Sequence, residues 1–238
     1  MANEASMMIY TPPSETPEPG PAYLASTRFL DCASEPLQRF AREATAGEAS
    51  PVGKAVKLFY AVRDGWRYDP FAMRLDPQQY VASNILAADR GYCIPKAILL
   101  AAAARGAGIA AAIGLSDVVN HLTTEKLKAR MGGKTYFMHH GYAVLHLDGQ
   151  WVKAAPAFNI ELCRRFGVHP TEFDGRSDAL FQEYDALDRR HMEYVKHHGM
   201  WSDFPYEKVN ADFRAFYPPS TYGEDDPGER FEDGTPVR

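Results

Sequence analysis

Residues 94–105, IPKAILLAAAAR, are the most apolar run in the chain, and Ile, Leu and Ala fall on nearly every side of the helix they predict. A helix with so little polar face must be central, so the remaining elements have to cover it on several sides. Pro95 suits its first turn, where a missing N–H costs nothing, and Gly106 suits its C-terminal stop. Cys93 stands at the head of this run. Free N–H groups and the helix dipole favour a thiolate there, which predicts a reactive thiol with a depressed pKa. Gly91 allows a substrate backbone to approach, Tyr92 can form one wall, and the N–H of Cys93 can donate to an oxyanion.

The flanking patterns predict what covers the helix. Helices are expected over 36–45 and over 51–64, where Val52, Ala55, Val56, Leu58, Phe59 and Val62 recur at helical spacing. A short helix falls within 81–91, a strand over 108–118, and a helix or lid-like excursion over 122–133. Asp148-Gly149 between two alternating runs predicts a β-hairpin. Beyond Asn159 the pattern weakens, with helices expected around 179–198 and 206–216. The reading is an α+β fold in which the buried Cys-bearing helix packs on an antiparallel sheet. Residues 1–25 form an extended arm and 26–217 a single domain, with its core in 50–160 and a helical part in 161–217. Residues 218–238 form an acidic tail draped on the surface or disordered.

Composition removes several function classes. A net charge of −5 with no basic stripe argues against nucleic acid. No run of eighteen apolar residues predicts a membrane span, and the acidic, Pro-rich start is unlike a signal peptide, which points to the cytoplasm. Three scattered cysteines do not make a disulfide scaffold, and Cys32 and Cys163 read as small buried hydrophobes. His191, His197 and His198 lack a metal-binding spacing and read as surface helix histidines, so no metal and no cofactor is expected. The run KLKAR reads as a solvated helix face, and Lys96 as facing solvent.

A two-residue turn at 148–149 fixes the hairpin register, with Leu147 opposite Gln150, His146 opposite Trp151 and Tyr142 opposite Ala155. Alternation then puts His140, Tyr142, Ala155 and Ala157 on one face, and His139, Gly141, Ala143, Ala154 and Pro156 on the other.

Three blocks carry a resemblance. GYCIPKAILLAAAARGAGIAAAIG resembles the core of the transglutaminase-like superfamily, and HHGYAVLHLDGQWVKAAPAFN resembles that family's catalytic His and the Trp-containing strand after it. LFYAVRDGWRYDP is similar to the segment that precedes the Cys block in bacterial members; together the blocks cover about 50–160. The resemblance implies a papain-like fold with Cys93 as nucleophile. It selects His140 over His139 as the partner, through the pattern His-x-aromatic with Tyr142. The family's orienting Asp, four residues after the strand Trp, is Ala155 here. An alanine cannot hold an imidazole or stabilise its charged form. Asn159 is the first candidate to replace it, as in papain-like sites, followed by Glu161 and then by Asp117 and Asn120; a dyad without an orienter is the remaining option. Asn84 is a further candidate oxyanion donor.

The function expected is acyl transfer on an amide or peptide bond through a thioacyl intermediate, with hydrolysis favoured over cross-linking. The partner would be a peptide or an amide-containing small molecule, and no oligomeric state follows. The rival expectation is a transglutaminase-like binding module that has lost turnover with its Asp. A weaker third is a metal-dependent hydrolase built on the C-terminal histidines.

Overall fold

The computed structural model describes residues 18–121, 123–180, 192–222 and 230–237. In chain order the elements are α1 (Glu35–Ala44), α2 (Pro51–Gly65), β1 (Arg67–Tyr68), α3 (Ala82–Ala87), β2 (Arg90–Gly91), α4 (Cys93–Gly106), β3 (Ala111–Asn120) and β4 (Thr123–Thr124). Then come α5 (Glu125–Arg130), β5 (Tyr136–Leu147), β6 (Gln150–Ala154), α6 (Ile160–Phe166), β7 (Met192–Trp201), α7 (Tyr206–Phe216) and β8 (Pro236–Val237).

The apolar run is the axis of the fold, as its composition demands. Every residue of α4 from Ile94 to Arg105 is buried. Helices α1, α2 and α3 and strands β3 and β5 all pack against it. Each buried Leu or Ile of that helix contributes about 1.5–3 kcal/mol through lost apolar exposure. Arg105, in the last turn, donates to the carbonyls of Ala111, Ala25 and Ser202. The cation thereby lies beside the negative end of the helix.

The main sheet is antiparallel with strand order β6-β5-β3-β7. The β5–β6 hairpin has the register the turn predicts, with Leu147 opposite Gln150 and Ala143 opposite Ala154. Asp148 (φ 47°) and Gly149 (φ 84°) both lie in the left-handed region, as a type I′ turn requires. The α+β architecture is therefore as expected, with buried apolar core continuous from Phe29 to Phe231.

Three expectations change. Residues 192–198, read as helix, are strand β7. This edge strand shifts register against β3 between Gly114 and Ser116 and again between Asp117 and Val118. Two irregularities in ten residues erase the period-two pattern that marks a strand. His191 and the rest of 181–191 lie outside the described residues, as do 1–17 of the N-terminal arm. The end of that arm is packed, because Tyr23 is buried with its ring 5.1 Å from that of Trp151. The acidic tail is also more than a drape. Phe231 is buried among Tyr68, Phe71 and Phe166, and β8 pairs with β4. No helix among the described residues is long and apolar enough to cross a membrane.

Candidate active site

Cys93 opens α4, after Tyr92 in extended conformation at the N-cap with no side-chain cap. Backbone N–H groups of Gly141 and Ile94 lie close enough to the sulfur to favour its thiolate. Gly141 makes this possible. A Cβ at position 141 would stand 2.9 Å from the Ile94 Cα and 3.3 Å from its nitrogen, so only glycine lets β5 come this close to the first turn of α4. The thiol is half-buried and lines a narrow cavity of about 50 Å³, together with Tyr92, Leu127, His139, His140 and Tyr217. Tyr92 is a buried wall, its hydroxyl 2.7 Å from that of Tyr80.

Burial pushes the Cys93 thiol up to about 11, against the lowering effect of the N–H groups. The depressed pKa expected from the helix start is therefore reversed in this narrow cavity, because desolvation of the thiolate outweighs those N–H groups. Cys32 and Cys163 are buried. Iodoacetamide should alkylate Cys93 ahead of both, at a rate that climbs about tenfold per pH unit between pH 7 and 10, as the thiolate fraction does. A rate already level at pH 6 would mean that the thiolate is preformed.

The two histidines differ by a bulge. Ser116 pairs with His140 but Val118 pairs with Phe137, so β5 spends three residues where β3 spends two. His139 lies in the extra length with φ 57°, a conformation that costs a non-glycine residue energy unless its surroundings hold it. They do hold it: its N–H donates to Asp117 Oδ1 at 2.9 Å, and Nε2 lies 2.7 Å from Asp212 Oδ2 on α7. An ionised carboxylate only accepts, so Nε2 carries the proton. Strict alternation would send two adjacent residues to opposite faces, yet both histidines line the cavity. Burial lowers His139 to about 4 and His140 to about 3, so both rings are neutral at pH 7.

Of the other expected site residues, Asn120 also lines the cavity, whereas Asn159, Glu161, Ala155, Tyr142 and Asn84 are dispersed. Asn159 is tied elsewhere, its Oδ1 accepting the Tyr68 N–H at 3.0 Å and its Nδ2 donating to Glu161 Oε2 at 3.0 Å. It is a clamp between the chain after α2 and the start of α6, and Glu161 is engaged with it. Ala155 is fully buried in a small cluster with Tyr23, Ala110, Ala112, Tyr142 and Val144. Tyr142 lies in that same cluster rather than along the cavity: its ring covers Gly114, where a Cβ would come within 2.1 Å of it. Asn84 is exposed, and its Nδ2 donates to the Gln78 carbonyl at 2.9 Å, away from the Cys93 cavity. Lys96 does not face solvent. Fully buried, it donates through Nζ to the carbonyls of Arg63 at 2.8 Å and Trp66 at 2.6 Å.

Asp117 serves His139 and the Tyr136 hydroxyl, which donates to its Oδ2 at 2.8 Å. Asp212 and Tyr217 carry no mark in the sequence, and His198, expected on a helix surface, is instead a strand residue whose side chain is only 9% exposed. His198 Nε2 lies 2.8 Å from Asp117 Oδ1, and Tyr217 Oη accepts the Met138 N–H at 2.7 Å. No local spacing announces them, since Asp212 is 73 residues from His139.

Residues 38–156, half of the chain, match the profile of the Transglutaminase-like superfamily. A crystal structure from Cytophaga hutchinsonii, of a candidate cysteine protease, is similar at 15% identity with a TM-score of 0.44. The likeness covers 75% of this chain and 52% of that one, so this chain spans about half the length of that protein. No curated protein matches the chain.

Proposed function

The chain belongs to the transglutaminase-like superfamily, and on that premise we propose that it is a cysteine-dependent acyl-transfer enzyme acting on amide or peptide bonds. The observation that carries this reading is a half-buried thiol at the head of α4, beside backbone N–H groups that favour its thiolate, in a cavity that His140 also lines. The sulfur bonds to the amide carbon while its proton passes to His140. The displaced carbonyl electrons collect on oxygen, within reach of a backbone donor such as the Cys93 N–H. Collapse expels the amine, which takes the proton from His140, and a thioester remains. Water then adds at the same carbon and gives a proton to His140. The C–S bond breaks, the sulfur recovers its proton and the acid departs. With the resting thiol neutral, its deprotonation belongs to the attack rather than preceding it.

The test is direct. The protein is mixed with activated acyl esters and short peptide amides, quenched in acid, and weighed intact. One acyl group on Cys93 that turns over on standing is expected. Adding a primary amine then reads the partition between water and amine, and water is expected to dominate. No adduct with any donor, or equal adducts on Cys32, Cys93 and Cys163, would sink the reading.

Ala155 favours a second reading, a binding module with the same fold and no turnover. Saturable binding of a peptide or amide ligand, with no acyl adduct and no product, would select it.

A further inference from the structure

We propose that Asp117, His139 and His198 form a binding site for a divalent ion of the zinc class, distinct from the thiol chemistry although it borders the same cavity. These residues come from β3, β5 and β7, and their ligand atoms all lie within 4.8 Å of one another. The His139 ring is fully buried, and its Nδ1 has no hydrogen-bond partner among the described residues. A buried lone pair left this way carries an unrecovered desolvation cost, which a cation at that atom would recover.

The surroundings are those a metal-bound imidazole needs. Asp212 accepts from His139 Nε2 at 2.7 Å and is itself held by Lys208 Nζ at 2.6 Å. That carboxylate fixes the tautomer which leaves Nδ1 free to bind, the usual outer partner of a metal-ligating His. Asp117 is held by the His139 N–H and the Tyr136 hydroxyl. The His198 ring lies 4.4 Å from that of His139, centroid to centroid. Its Nε2 is 2.8 Å from Asp117 Oδ1 without the alignment of a hydrogen bond. The pair is thus a close approach of two lone-pair-bearing atoms, better satisfied by an ion between them than by each other. Two imidazoles and one carboxylate suit zinc and its transition-metal neighbours, whereas calcium and magnesium require oxygen. Three protein ligands leave a coordination position for water, and His139 lines the cavity toward which it can open.

The full chain, dialysed against chelator, is titrated with zinc sulfate by calorimetry and with cobalt chloride by visible absorption. One equivalent of zinc, a raised Tm and cobalt d–d bands without a thiolate charge-transfer band are expected. His198→Ala should weaken zinc binding by at least about 100-fold and Asp212→Asn by about 10–100-fold. His197→Ala should leave binding unchanged, since His197 Nδ1 bonds Ser116 Oγ at 2.8 Å, away from the cluster. Failure to bind zinc, a thiolate band in the cobalt spectrum of the unmutated chain, or affinity unaltered in His198→Ala would overturn the site. The cobalt spectrum needs no variant, so the proposal stays testable even where a substitution unfolds the chain.

Discussion

Alanine in place of Cys93 will remove turnover of any amide or ester that the chain hydrolyses, on the order of 10⁴–10⁶-fold in kcat, as loss of a covalent nucleophile does. The fold should survive. Cys93 is half-buried, its side chain is small, and its carbonyl and N–H stay in place at the head of α4. Serine is the sharper control, because it keeps a nucleophile of similar shape but one much harder to deprotonate beside a buried imidazole. A Cys93→Ser variant should retain substrate binding and lose nearly as much rate as Cys93→Ala. Cys32→Ala and Cys163→Ala, both remote in the core, should leave the rate per folded molecule unchanged. Activity indifferent to Cys93→Ala would end the covalent mechanism, whatever the adduct experiment gave.

The second large effect is on stability. Lys96 is fully enclosed in the first turns of α4, and burial lowers it to about 7 from an ordinary 10.5. In the unfolded chain that amine holds its proton until pH 10.5, whereas in the fold it sheds it near pH 7. Between those values the unfolded state binds more protons, so unfolding free energy rises with pH. The gain between pH 7 and 9 should be roughly 2 kcal/mol. Above pH 9 the thiols of Cys93 and Cys163, both raised to about 11, begin to act in the opposite sense. Urea unfolding at pH 7, 8 and 9 measures the slope, and Lys96→Met should flatten it. The methionine fills the same space with no charge, at the cost of leaving the Arg63 and Trp66 carbonyls without their donor. A slope that persists in Lys96→Met would assign the effect to other groups.

The fold was legible wherever a local pattern carried it. Asp148-Gly149 specified both the turn and the pairing through to Ala143, because a two-residue loop leaves one register. The apolar run specified a central helix, because nothing else accommodates Ala and Leu on all sides. What escaped was built from non-local or irregular pairing. β7 has two register shifts, and without period-two alternation its histidines resemble those of an exposed helix. The bulge at His139 depends on how β3 pairs with β5, which no spacing within 136–147 reveals. Ala155, where the resemblance expects an Asp, offers no polar group, and the carboxylate and imidazole beside His139 come from α7 and β7, far along the chain. Lys96 shows the same limit in reverse. A lysine in an apolar helix reads as the exposed corner, and only the carbonyls of Arg63 and Trp66 explain why it is not.

The pairing of Thr123 with Val237 has a practical consequence at the bench. β4 runs straight into α5, and Leu127 of that helix lines the cavity at Cys93. Anything fused beyond Val237 therefore hangs from the strand that leads into one wall of the Cys93 cavity. An affinity handle at that end is not a bystander. It can load or loosen that wall, and a rate measured with it attached reports on the handle as well as on the chemistry.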